Sequence, residues 1–249
     1  MANFTSFLDI LPDPNNPIGE GGEALATAQG GVAGPGFKSI KFTSEAPIQV
    51  SRTNSGRVIT RGIAGHKWSV DISYNPMTRE DFEPIFSFLL QRKGRLNPFY
   101  VQLPNQYTTR NAAFAARVAV PTNPTNVGGL NQGAQWMLQG GHSDTQTTTP
   151  KPGDMFTITD TADSLHTKIY RVVRVLDAAA YHNTLHSAPS SSQRIVYFTP
   201  NLQRAVSSGQ TIIYHQPKIR VILKGDIQEY SLDTNNLYKF SLQLEEAQA

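Results

Sequence analysis

The sequence predicts a mainly β chain built from antiparallel sheets with one flanking α-helix. Three observations carry this. Apolar residues alternate with polar ones along several short segments, the period of a strand with one buried face. Turn residues separate those segments: Gly 19 and Pro 16 together are 35 of 249 residues, about one in seven. A single segment, near residues 80–93, instead has helical spacing.

The first strands lie between Phe37 and Tyr74. Ile48 and Val50 alternate with polar neighbours, Asn54-Ser55-Gly56 marks a turn, and Val58-Ile59 resumes the strand. Trp68, Val70, Ile72 and Tyr74 then alternate with Lys67, Ser69, Asp71 and Ser73, which places Trp68 in the core set. The helix follows. Phe82, Ile85, Phe86, Leu89 and Leu90 form an i, i+3, i+4, i+7, i+8 stripe, with Thr78 or Asp81 as cap and Gly94 as stop. Pro84 is expected in the first turn, so the helix is expected to begin near Glu80 or Asp81. Strand spacing returns at Phe99, Val101 and Leu103.

Composition shifts near residue 105. Residues 105–150 are rich in Asn, Thr, Gln and Gly, with short strands expected at Arg117–Val120 and Trp136–Leu138. Clearer strands are expected at Asp154–Thr159, Ile169–Leu176 and Arg194–Thr199, with a polar loop over 178–193. Ile219, Val221 and Leu223, then Tyr238, Phe240, Leu242 and Leu244, return to alternation. This divides the chain into an irregular arm (1–36), a split β domain (37–104 plus 210–249) and an inserted β domain (105–209). The arm is either a flexible leader or a segment that orders against a neighbouring subunit.

Charge and composition narrow the function. Charged residues are 16%, and 22 Lys+Arg stand against 19 Asp+Glu, a net +3. The densest basic cluster, Arg92-Lys93-Gly94-Arg95, fits the end of the helix, where cations suit the terminal carbonyls. A nucleic-acid domain would concentrate such charge in a stripe. The absence of cysteine removes disulfides, thiolate metal sites and thiol nucleophiles. No apolar run reaches a membrane span, and the first residues lack the pattern of a secretory signal.

The search for chemistry finds no catalytic, cofactor-binding or metal-binding residues. Among the six histidines only His182 and His186 have ligand-like spacing, without an intervening Glu or a third ligand. The acidic pairs are Glu80-Asp81 at the helix start, Asp160 with Asp163 in a Thr/Asp-rich turn, and Glu245-Glu246 near the end of the chain, read as fraying. Asp160 and Asp163 are the only candidates for a hydrolase. Trp136, Tyr181 and the polar stretch 105–150 are the candidates for a saccharide-binding surface, the alternative reading being a carbohydrate-binding module for host-surface glycans.

One series of motifs resembles a known family. Gly65-His66-Lys67-Trp68-Ser69-Val70-Asp71-Ile72-Ser73-Tyr74-Asn75-Pro76-Met77-Thr78 leads into the Phe-rich helix, and Pro98-Phe99-Tyr100-Val101-Gln102-Leu103-Pro104 follows it. Later, Gly153-Asp154-Met155-Phe156, Tyr197-Phe198-Thr199-Pro200-Asn201-Leu202-Gln203-Arg204-Ala205 and Phe240-Ser241-Leu242-Gln243-Leu244 continue the series. Across roughly 38–248 this resembles the distal tail and baseplate (tail-tip) ring proteins of long-tailed bacteriophages. The resemblance implies a tail-tube-like antiparallel β-sandwich with one flanking helix and an inserted small OB-like β-barrel domain. It implies a non-enzymatic virion protein made in the bacterial cytoplasm and placed at the distal end of the tail. Its expected partners are copies of itself in a hexameric ring, the tail tube, the tail hub, and other baseplate or fibre proteins. DNA passes through such a ring without being held, and the thin net charge suits passage. No cofactor and no membrane insertion are expected.

Overall fold

The structure, a computed structural model, describes residues 9–15, 33–63, 65–120, 122–142, 148–163, 166–178, 188–226 and 228–247. In chain order its elements begin with β1 (Phe37–Glu45), β2 (Ile48–Arg52), β3 (Val58–Gly62), β4 (Lys67–Tyr74), α1 (Arg79–Gln91) and β5 (Phe99–Gln102). Next come α2 (Ala112–Ala119), β6 (Thr125–Asn126), β7 (Trp136–Gly140), β8 (Met155–Ile158), β9 (Tyr170–Leu176) and β10 (Arg194–Thr199). The last are β11 (Ile212–Ile213), β12 (Lys218–Leu223), β13 (Ser231–Leu232), β14 (Tyr238–Lys239) and β15 (Ser241–Glu246). The chain is thus mainly β, as the alternation predicts. It divides into two compact units, residues 1–101 with 220–248, and residues 102–219.

The first unit holds a five-stranded sheet ordered β1-β4-β15-β12-β5. β15 lies at its centre, antiparallel to β4 through Ser241↔Ser73 to Glu245↔Ser69 and to β12 through Leu223↔Leu244. The alternating set behaves as period two requires. Trp68, Val70, Ile72 and Tyr74 are buried, as are Ile219, Val221, Leu223, Phe240, Leu242 and Leu244. Trp68 stacks on Phe42 with ring centroids 4.5 Å apart. Glu246 does not fray. It is buried at the end of β15, where its Oε2 accepts the backbone N–H of Trp68 at 3.2 Å.

Helix α1 departs from the expected stripe in two places. Phe82, Ile85, Phe88 and Leu89 are its buried residues, whereas Leu90 is 55% exposed. At 100° per residue, Leu90 lies about 140° from the centre of the buried arc and Phe88 about 60° from it. The helix also begins one to two residues earlier than expected, at Arg79, so Pro84 falls beyond the first turn. Thr78 is its N-cap residue and Pro84 stands at its sixth position. The ring therefore removes the donor that would reach the Glu80 carbonyl, and Glu80 lies on the exposed side of the helix.

The two arginines of the basic cluster after α1 are engaged locally. Arg92, the C-cap residue, lies over the Phe88 ring at 4.5 Å and pairs with Asp9. Arg95 pairs with Asp226 and donates to the Lys224 carbonyl. Gly94 has φ +65°, and a Cβ there would meet the Asp226 Cα at 3.3 Å.

Part of the arm folds onto its own unit. The Leu11 N–H donates to the Tyr100 carbonyl (2.8 Å), Ile10 bridges Tyr100 in parallel, and Leu11 is fully buried. β5 is an edge strand, so its free backbone groups offer this pairing. Gly34 closes over the segment, and a Cβ there would lie 2.7 Å from the Asp13 nitrogen. Residues 1–8 and 16–32 of the arm lie outside the described residues.

The second unit holds a six-stranded sheet ordered β11-β8-β9-β10-β7-β6 around a core that includes Phe114, Met137, Phe156, Tyr170, Val196 and Tyr214. The strand expected at Arg117–Val120 is instead the end of α2. Asn111 caps that helix by accepting the N–H groups of Ala113 and Phe114, and its alanine-rich start favours helix. Among the described residues no helix is long and apolar enough to cross a membrane.

The helix assignment is checked by alanine scanning. Phe88→Ala is expected to cost about 3–5 kcal/mol and Leu90→Ala less than about 0.5 kcal/mol in urea unfolding. Equal costs would refute the buried arc.

Candidate functional site

The groups singled out by sequence are placed as follows. In the second unit, Asp160 and His166 meet in the interior, with side chains 5% and 1% exposed and Oδ2 to Nδ1 at 3.1 Å. His166 Nε2 lies 2.9 Å from the Tyr170 hydroxyl, and that hydroxyl oxygen accepts the Gln203 N–H at 3.1 Å. A carboxylate can only accept, so Nδ1 carries the proton and Nε2 accepts from Tyr170. The result is a directed chain from Gln203 to Asp160. Asp160 Oδ1 also accepts the Ala162 N–H, and Asp163 pairs with Arg204. Asp160 is thus bonded to His166 and Ala162, and Asp163 to Arg204.

Histidines are dispersed. His66 bonds Ser44 Oγ at 2.8 Å and packs edge-on to Trp68. His142 is buried beside Phe114, with Nδ1 at 3.4 Å from the Thr148 carbonyl. Burial, reinforced by Arg117 and Arg194, pushes the His142 imidazole down to about 4. His182, His186 and Tyr181 lie outside the described residues. Among the described residues no three His, Asp or Glu side chains gather with metal-binding geometry.

The aromatic candidate has a partner that sequence alone does not indicate. Trp136 on β7 sits opposite Tyr197 on β10, and Tyr197 sits opposite Arg174 on β9. The Arg174 guanidinium lies 6.0 Å from the Tyr197 ring centre. Trp136 and Tyr197 are half-buried and Arg174 is exposed, so three strands present one aromatic row ending in a cation. The signal is the period-two register across non-adjacent segments, which emerges only when β7, β10 and β9 are aligned.

The first unit carries two further surfaces. One is an open cleft of about 480 Å³ lined by Lys38, Tyr74, Glu229, Tyr230, Lys239 and Phe240, among others. The Tyr74 hydroxyl is buried there, and desolvation raises its pKa well above the usual phenol value. Tyr230 packs with tilted and edge-on rings against Phe82, Phe86 and Tyr238. The other is the β2–β3 ribbon, whose strands pair only with each other among the described residues and whose residues are all exposed. Sequence alternation places Ile48 and Val50 on a buried face, but in the structure they are 60% and 59% exposed. Two strands without a covering layer have nothing to bury against.

These features describe a mainly β chain of two compact units whose conspicuous surfaces are a ribbon, a cleft and an aromatic row. No family model matches the chain. Over 139 residues, 56% of the chain, it is 26% identical to the distal tail protein pb9 of Escherichia phage T5. The match spans 61% of that protein's length. The likeness to phage distal tail proteins read from the motifs therefore has a counterpart in a curated relative.

Two measurements check the buried groups. Asp160→Asn and Tyr170→Phe are each expected to lower unfolding free energy by about 1–3 kcal/mol, because each leaves a buried partner unsatisfied. The folded His142 pKa lies below its unfolded value, so the unfolded chain binds the extra proton. Its contribution is intact above about pH 6.5 and is lost as pH falls toward about 4. His142→Phe should flatten the stability profile in that window, by at most about 1.4 kcal/mol per pH unit.

Proposed function

We propose that this chain is a structural protein of a bacteriophage tail, placed at the distal end and acting by assembly and not by catalysis. The observation that carries this reading is the 26% identity to the distal tail protein of phage T5, joined to the motif series across 38–248. In this reading copies of the chain form a ring, hexameric by analogy, that connects the tail tube to the baseplate or tip. DNA crosses the ring, and the net +3 spread over 22 basic and 19 acidic residues gives no strong grip on it. The partners are the tube, the hub and fibre or baseplate proteins. An OB-like character for the second unit belongs to the same proposal, supported by its six short antiparallel strands around one core.

A second reading has its own observation. The row Trp136, Tyr197 and Arg174 offers aromatic faces with an adjacent cation, which suits the apolar faces and hydroxyls of a saccharide. It is compatible with a tail protein that touches the host surface.

Gold labelling of a tagged chain in intact tails is expected to mark the end distal to the capsid. Label on the capsid or along the tube would overturn the placement. On a glycan array, binding abolished by Trp136→Ala supports the second reading, and absence of any wild-type signal removes it.

A further inference from the structure

The outer face of the second unit's sheet carries more positive charge than the aromatic row alone. Tyr197 and Thr199 stand two residues apart on β10, so they share a face. Their partners on β9 are Arg174 and Arg171, which puts both arginines on the face of Trp136 and Tyr197. The register shift between Tyr197 and Phe198 makes this possible. It leaves Val173 as the extra residue of β9, so two arginines three positions apart point the same way. Arg171 and Arg174 are exposed, whereas Tyr170 and Val172 are buried on the opposite face. β7, β9 and β10 contain no acidic residue.

A further arginine meets Arg171. A Cβ on Gly153 would lie 3.6 Å from Arg110 Nη1 and 3.7 Å from Arg171 Nη2. Two guanidinium groups thus reach one notch, Arg110 from the residues before α2 and Arg171 from β9. Gly153 has φ +102°, a conformation that favours glycine, so the notch holds no side chain of its own. Arg110 is fixed there: Nη1 donates to the Pro152 carbonyl at 2.7 Å and its backbone N–H donates to Asp154 Oδ1 at 2.9 Å. The other oxygen of Asp154 accepts the Lys151 N–H at 2.7 Å, so this buried carboxylate is engaged by backbone donors. Among the described residues no acidic side chain pairs with Arg110, Arg171 or Arg174. Water screens the repulsion between the exposed guanidinium groups, and their remaining N–H donors stay available to an outside anion. Planar forks of this kind match the oxygens of a phosphate. Tyr197 is the diagonal neighbour of Arg171, about 7–8 Å away across the strands, a span that one sugar ring bridges.

We propose that this face binds a saccharide bearing a phosphate monoester, with the phosphate between Arg110 and Arg171 at Gly153 and the sugar on Tyr197 and Trp136. The proposal rests on the saccharide reading of the aromatic row and adds the class of ligand. It does not depend on where the chain sits in a virion.

The full-length chain is titrated with phosphomannan oligosaccharides and with the phosphorylated core oligosaccharide freed from lipopolysaccharide, each before and after phosphatase treatment. Whole lipopolysaccharide in phosphatidylcholine vesicles, inorganic phosphate and a thymidine oligonucleotide are titrated alongside, and circular dichroism confirms that each variant folds. A phosphorylated glycan is expected to bind about tenfold more tightly than its treated form. Arg171→Ala and Arg110→Ala are each expected to erase that difference, Arg171→Lys to keep part of it, and Trp136→Ala to weaken both forms. Equal affinity for the freed core and for the vesicles places recognition in the saccharide, and binding to vesicles alone overturns it. Equal affinity before and after phosphatase treatment overturns the phosphate subsite and leaves the saccharide reading standing. Absence of binding to every glycan removes both. Inorganic phosphate or the oligonucleotide binding as tightly as the phosphorylated glycans would show a face that takes any anion, and the proposal fails.

Discussion

The first unit depends on one pairing, the insertion of β15 between β4 and β12. Residues 241–245 meet residues 69–73, so the sheet cannot form until the chain has returned from the second unit. Such long-range pairing is costly in chain entropy, and the cost grows only slowly with loop length. The intervening residues fold as their own unit, so most of that length is already ordered. β5 and β12, the strands at which the chain leaves and re-enters the first unit, are neighbours in the sheet. Glu246 then fastens the last strand by accepting the Trp68 N–H in a buried site. Once that strand is in place, the aromatic face of α1 has a sheet to cover, with Phe82 against Tyr238 and Phe240.

The polar groups follow a consistent division of labour. Several with the look of chemistry are paired within their own unit: Asp160 with His166, Asp163 with Arg204, Arg92 with Asp9 and the Phe88 ring. Each fastens a turn, a loop or the arm to a compact unit. Apolar groups also face outward: the ribbon aliphatics, Tyr230 and Leu232, and the half-buried Trp136–Tyr197 row. Buried, fully bonded polar groups favour a single rigid conformation, and exposed apolar faces favour association. That distribution suits a protein whose work is to be held and to hold.

The sequence by itself determined where most strands run and which side of each is apolar, because a period of two is a local property. The buried sets of β4 and β12 were legible residue by residue, whereas the alternation from Tyr238 to Leu244 hid the break between β14 and β15 and the buried end at Glu246. It also determined that α1 exists, because side-chain spacing is local; the helix ends at Gln91, and the first left-handed residue after it is Lys93 and not the expected Gly94. It could not choose between Phe88 and Leu90, since the buried arc depends on the angle at which the helix meets the sheet. The Asn111 cap made α2 legible in principle, but four residues of apparent alternation hid it. Only the tertiary structure decided that Ile48 and Val50 stay in water, that Leu11 joins β5, and that Trp136, Tyr197 and Arg174 share a row. Each of those outcomes depends on which distant segment lies alongside, and pairing between segments far apart in the chain leaves no local periodicity to read.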